Sequence, residues 1–259
     1  MDINDQLQES VYRLWDRLAE FPASEARVGI DYLLARVGEL IDSEHAFWFS
    51  MVRMQDYDQD DPMLGWRMGP HRSFRDLPFD EGLYLQAAKE VDMGKPTPCM
   101  ISNIRLAGKF RGSITRERMP DGYTHSGYYR ATHTARQIRD SMAIVSSLNQ
   151  DAEVYCVFYR THSQDNFNEQ DLALAKFALR SLNWFQRRVL LSYGLSLADN
   201  PLTRTERKVA RHLLTELPEK EIAQALAQSR STTHKHINSI YRKFNVNSRS
   251  ALLSVWLGH

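Results

Sequence analysis

Only two cysteines, Cys99 and Cys156, occur among 259 residues, which excludes a disulfide scaffold and a cysteine-built zinc site. Two isolated thiols read as small buried apolar side chains, and neither lies in a basic context that would favour thiolate. No run of eighteen apolar residues is present, and the amino terminus lacks basic residues followed by an apolar core and a small-residue cleavage site. No membrane span and no signal peptide are therefore expected, and the expected location is the cytoplasm. Catalytic signatures are missing as well: no glycine-rich phosphate loop, no nucleophile elbow, no His-Glu-x-x-His helix. His234 and His236 fall roughly 200° apart around a helix and cannot share one metal. His125 and His133 are eight residues apart and read as hydrogen-bonding or solvent-facing groups. Neither enzyme activity, nor a metal, nor a cofactor is expected.

Net charge is nearly absent too, at +1, but it is unevenly spread. From Asn200 onward there are ten Lys or Arg against four acids, a balance of +6, which leaves about −5 on the rest. Such asymmetry is expected when one domain approaches a polyanion and the other does not. At 42% hydrophobic and 10% aromatic residues, the chain can bury a real core and is expected to form two domains.

The basic end carries the most specific pattern. Thr203 and Glu206 have the spacing of a capping box, so a helix should begin there, continued by Val209, Leu213 and Leu214. Pro218 interrupts, and Ile222, Ala223 and Leu226 form the inner face of a second short helix. After a turn at Gln228 and Ser229, Ser229 can cap a third, polar and basic helix that runs to Phe244, with Asn245 suited to a left-handed end. Two short helices, a tight turn and a polar helix make a helix-turn-helix.

In its order and spacing of Leu202, Thr203, Glu206, Lys220, Glu221, Ile222, Ala223, Leu226, Ser229, Thr232, His236, Ile240, Lys243, Val246, Ser248 and Arg249, this stretch resembles the LuxR-type (GerE-like) DNA-binding domain. It departs from that pattern at Pro218, Gln228, Thr233 and Asn245, where a capping serine, a branched apolar residue, valine and glycine are common. The resemblance implies an all-α four-helix domain over residues 202–259 whose third helix enters the major groove. By position, His234, Lys235 and Asn238 would contact bases, and Lys220, Arg230, Thr232, Arg242 and Lys243 would hold phosphate. It also implies a homodimer on an inverted repeat, with recognition helices about 34 Å apart. Leu252, Val255 and Trp256 of the fourth helix would form the pairing patch. RNA polymerase is a further candidate partner, and no membrane partner is expected.

Residues 1–195 alternate helical and strand patterns, an α+β sandwich in which helices cover one face of an antiparallel sheet. Val11, Leu14, Trp15 and Leu18 mark one helix, and Val28, Tyr32, Leu33, Val37 and Leu40 the next. Strands are predicted over 46–52, with Phe47, Trp48 and Phe49 consecutive, over 64–68 before Gly69-Pro70, and in a hairpin over 141–148 and 154–161. Helices are predicted over 83–91, over 125–138 and, after Asn168 and Asp171, as one long closing helix. Gly94, Pro96 and Pro98 read as breakers, and residues 109–124 as irregular.

The hairpin followed by residues 167–172 resembles the end of a GAF-type sensor domain. That resemblance implies a small-molecule site between the sheet and the irregular segment, with Trp48, Trp66, Tyr123, Tyr128 and Tyr129 as candidate lining. LuxR-type members that bind acyl-homoserine lactones carry a spaced Trp, Tyr, Asp-Pro and Trp set. Here Asp61-Pro62 is present, but Trp48, Tyr57 and Trp66 stand at the wrong intervals, so lactone sensing is not expected. The reading is a regulator whose sensor domain, through a hinge at residues 196–201, sets the spacing of its two DNA-binding modules. The alternative is a ligand-independent regulator whose amino-terminal domain only dimerises or docks another protein.

Overall fold

The computed structural model describes residues 4–22, 25–54, 57–75, 81–193, 202–215, 217–244 and 246–257, with the backbone alone at 81, 204 and 255–257. The chain divides into two compact units, residues 1–20 with 28–186 and residues 21–27 with 187–259. The hinge expected at residues 196–201 falls outside the described residues.

The first unit begins with helices α1 (Asp5–Glu20) and α2 (Ala26–Leu40). Its centre is a five-stranded antiparallel sheet of β1 (His45–Arg53), β2 (Trp66–Phe74), β3 (Arg111–Ile114), β4 (Ile138–Asn149) and β5 (Ala152–Thr161), in the order β2-β1-β5-β4-β3. The consecutive aromatics of β1 follow from burial on both faces, since successive side chains point to opposite sides. Trp48 faces one layer, where its Nε1 donates to Gln186 Oε1 at 2.8 Å, and Phe47 and Phe49 face the other. The expectation that helices cover one face is therefore corrected to two. Helix α6 (Glu169–Arg180) lies on β3 and β4 so closely that a Cβ on Gly112 would meet Lys176 at 3.0 Å and Leu172 at 3.1 Å. Opposite it, α3 (Glu81–Asp92), α4 (Pro98–Ile104) and α5 (Gly127–Thr132) close over the sheet.

Several boundaries differ from the sequence reading for local reasons. Strand β2 continues through Gly69-Pro70 because it is an edge strand, where a missing N–H is tolerated, and the register against β1 slips between Phe49 and Met51 as a bulge. Pro98, read as a breaker, instead opens α4 from its first turn, with Thr97 Oγ1 accepting from Met100 N at 3.3 Å. The irregular segment contains β3. The helix expected over 125–138 shrinks to α5, because Gln137 turns left-handed, with φ of 55°, and the chain enters β4. The long closing helix breaks after Arg180 into α6, with its capping box at Asn168 and Asp171, and α7 (Asn183–Ser192). Val28 points outward at 53% exposure, and α2 buries Ile30, Leu33, Leu34 and Val37 instead.

In the second unit, α8 (Arg204–Leu213), α9 (Glu219–Ala225), α10 (Arg230–Lys243) and α11 (Arg249–Leu257) pack around Leu202, Val209, Leu213, Ile222, Ile237, Ile240 and Leu252. Thr203 and Glu206 form the expected capping box, and Ser229 Oγ accepts from Thr232 N at 3.0 Å to start α10. The turn between α9 and α10 runs through Ala227 at φ 51° and closes with Gln228 N–H donating to Ala223 O at 2.9 Å. Two departures from the apolar pattern compensate each other here: buried Thr233 donates its hydroxyl to Gln228 Oε1 at 3.4 Å. A third, Pro218, starts α9 with no side-chain cap bond.

Candidate functional site

Helix α10 separates into two faces. Thr233, Ile237 and Ile240 recur at helical spacing and are buried against α8 and α9. His234, Lys235, Asn238 and Arg242 form an exposed stripe on the other side, while His236 is half-buried. The three residues expected to read bases thus share one accessible surface. His234 is the most constrained, with Nδ1 3.3 Å from Glu219 Oε2 of α9. Lys220, in the first turn of α9, and Arg230, at the start of α10, are exposed. Thr232 is exposed as well, its hydroxyl 2.8 Å from Ser229 Oγ. An exposed polar and basic stripe at the start of the second helix of a helix-turn-helix is the geometry that admits base edges and phosphates.

Two expected positions are corrected. Lys243 is not presented to solvent: its Nζ donates to Glu206 Oε2 at 2.8 Å, with side-chain exposures of 16% and 5%. The same carboxylate accepts from Thr203 N at 2.6 Å, and these bonds hold it well below the usual carboxylate range, at about 2. Lys243 therefore ties the end of α10 to the start of α8. Leu252 is 1% exposed and fills the unit's own core, because α11 needs an apolar anchor there, so it is withdrawn from the pairing patch. The side chains of Val255 and Trp256 lie outside those described. Arg249's role was not legible locally: its guanidinium bonds the carbonyl oxygens of Leu213 at 2.7 Å and Leu217 at 2.8 Å, and also Thr215 O, capping the end of α8.

In the first unit, a cavity of about 170 Å³ opens between the sheet and the layer of α3, α4 and α5. Phe47, Phe49 and Met51 of β1, Met68 of β2 and Tyr155, Val157 and Tyr159 of β5 form its floor. Tyr84, Cys99, Met100, Tyr123, Tyr128 and Thr132 close it from above. Among the described residues, no Asp, Glu, Lys or Arg lines it. Of the five candidate lining residues, Tyr123 and Tyr128 are on its wall. The other three are not. Trp48 faces the opposite side of the sheet. Trp66 is packed among Met63, Val91 and Ile104. Tyr129 stands behind His133, stacked on it at 4.5 Å and 6°. Asp61 is also absent from the wall, since it accepts from Met63 N and Gly65 N at 2.9 Å each and from Arg67 Nη1 at 2.8 Å to hold its own loop.

Sequence reasoning missed the polar end of this cavity, where Thr115, Thr132, His133 and Ser141 meet. Burial lowers the His133 imidazole to about 4, so it is neutral at ordinary pH. On the same face of the sheet, beside the floor, Arg111 and Glu153 pair in a bidentate bridge at 2.8 and 2.9 Å, and Tyr155 OH donates to Glu153 Oε2 at 3.1 Å. Neither cysteine is activated: burial pushes the Cys156 thiol up to about 12 and raises that of Cys99. No helix among the described residues is long and apolar enough to cross a membrane.

Residues 200–256 match the family described as bacterial regulatory proteins, luxR family. An HTH-type transcriptional regulator encoded in the exeN 3′ region of Aeromonas salmonicida is 26% identical over 167 residues, covering 60% of this chain and 85% of that protein. Among solved structures, Escherichia coli SdiA is 13% identical over 96% of both chains with a TM-score of 0.44. The VqsR LBD domain from Pseudomonas aeruginosa is 11% identical, covering 72% of this chain and 98% of that one, with a TM-score of 0.45.

Proposed function

We propose that this chain is a sequence-specific, DNA-binding transcription regulator that acts as a homodimer on an inverted repeat and is modulated by a small ligand in its first unit. The observation that carries the DNA-binding part is the luxR-family domain at residues 200–256, whose α10 keeps His234, Lys235 and Asn238 on one exposed stripe. Lys220, Arg230 and Arg242 supply positive charge around that stripe, and Thr232 a hydroxyl at the helix start. Val255 and Trp256 are the residues we assign to pairing, from the sequence of α11.

The ligand part is supported by an apolar cavity with a few convergent polar groups, the usual form of a small-molecule site. The antiparallel sheet with a cavity under an irregular layer is in keeping with a GAF-type sensor. A ligand there acts only through its different affinity for two arrangements of the dimer. The experiment is mass spectrometry of small molecules released from purified protein, paired with operator titrations before and after cell extract is added. The expected result is a co-purifying compound, or an extract fraction, that changes operator affinity. Ligand-free protein with full operator affinity, indifferent to every extract, overturns the sensor reading and leaves the regulator reading in place.

A further inference from the structure

The exposed stripe of α10 is rich in donors. Lys235 and Arg242 can only donate a hydrogen bond, and Asn238 can donate or accept. What His234 offers is decided by Glu219. The imidazole Nδ1 lies 3.3 Å from Glu219 Oε2, and an ionised carboxylate only accepts, so Nδ1 must carry a proton. In a neutral ring that leaves Nε2 as a bare acceptor. Among the described residues His234 makes no other hydrogen bond, and its side chain is 58% exposed, so the Nε2 lone pair is open to a partner from outside. Glu219 is itself held in place: Pro218 sets the entry to α9, Glu219 is its first residue, and the helix start favours a negative charge there.

An acceptor discriminates among base edges in the opposite sense to a Lys or Arg. In the major groove, adenine presents its N6 amino group and cytosine its N4 amino group as donors, whereas guanine O6 and N7 and thymine O4 only accept. Nε2 placed against guanine or thymine would lose its water and gain no bond, which costs more than a merely missing contact. The tautomer set by Glu219 therefore selects a class of base.

We propose that Glu219 is a positioning residue which holds the neutral His234 ring with its proton on Nδ1, so that Nε2 accepts from the exocyclic amino group of an adenine or cytosine in the operator. This inference rests on the base-reading assignment of His234 above and names the base chemistry it reads. Two measurements on the full chain test it, both at about pH 8, above the ordinary imidazole value of about 6.5. Long-range proton–nitrogen correlation spectra of isotope-labelled protein, with the His234 signal identified by its loss in His234→Ala, are expected to show a single ring proton, on Nδ1. Glu219→Gln, whose amide can also donate, should shift that proton at least partly to Nε2. Operators are then selected from random duplexes with the parent and with His234→Ala. The position at which only the parent discriminates should hold adenine or cytosine. Replacing that base by purine or pyrimidin-2-one, which lack the amino group, should weaken the parent about tenfold and leave His234→Ala unchanged. A ring proton on Nε2, a ring protonated on both nitrogens, or an analogue that weakens both proteins equally overturns the proposal. The base-reading assignment fails separately: it falls if His234→Ala selects the same sequences as the parent, whereas guanine or thymine at a position that His234 controls keeps it and sinks the acceptor role.

Discussion

Replacing Lys243 separates a structural tie from a phosphate contact. Its ammonium lies 2.8 Å from a carboxylate only 5% exposed. At an effective dielectric of 20 the gross attraction is about 6 kcal/mol. Desolvation cancels much of that, and breaking a fully buried pair costs roughly 3 to 5 kcal/mol. Lys243 keeps 16% exposure, and Glu206 still caps Thr203 N, so Lys243→Met is expected to cost about 2 kcal/mol in this unit. Hydrogen exchange of the core amides of α8 and α10 in the full chain reads this directly, as an acceleration of about thirtyfold, since 1.4 kcal/mol is a factor of ten. The salt dependence of operator affinity, measured where the variant is folded, should stay unchanged. Arg242→Ala should do the reverse, leaving exchange alone and flattening the salt slope by about one unit. Normal exchange with a flattened slope in Lys243→Met would refute the tie and return Lys243 to the phosphate contacts. Acid gives a second check: Glu206 has a depressed folded pKa, so its contribution is present above its ordinary value of 4.5 and is lost as pH falls toward about 2. The variant should lose less over that window than the parent.

Lys235→Ala or Asn238→Ala is expected to cost roughly 1 to 3 kcal/mol at particular base pairs and to relax choice there, read by titrating single-base operator variants; equal loss on random DNA would sink the base-reading assignment. His133, lowered from 6.5 to about 4 in the fold, stabilises the first unit above pH 6.5 and loses that contribution as pH falls to about 4, a change of about 3 kcal/mol. Exchange rates of β4 and β5 amides across that range check it, and His133→Phe should flatten the dependence. Glu153→Gln leaves the Arg111 guanidinium, 9% exposed, without its counter-ion and is expected to destabilise the first unit by about 3 kcal/mol, visible as a lowered melting transition. Trp256→Ala should raise the concentration at which the protein dimerises in sedimentation and weaken operator binding; an unchanged dimer would remove α11 from the interface.

What the sequence made legible were signals carried within a few residues. The caps at Thr203, Asn168 and Ser229 were readable because a side chain three positions from its partner has little choice of geometry. The aromatic run of β1 announced a buried strand, but not which face each ring would take, and so Trp48 was assigned to a cavity that strand alternation gives to Phe47 and Phe49. Pairings over long separations left no local trace. Lys243 looked like any basic residue at a helix end until Glu206, thirty-seven residues earlier, was placed beside it. Thr115 and Ser141 are twenty-six residues apart and meet only because β3 pairs with β4. The same holds for Gln228 and Thr233, each a polar residue where an apolar one is common. Taken singly they read as weak packing, and only their mutual hydrogen bond across the turn explains why the start of α10 accepts both. Local chemistry thus marked where α10 begins and ends, while the polar end of the cavity is a product of sheet topology.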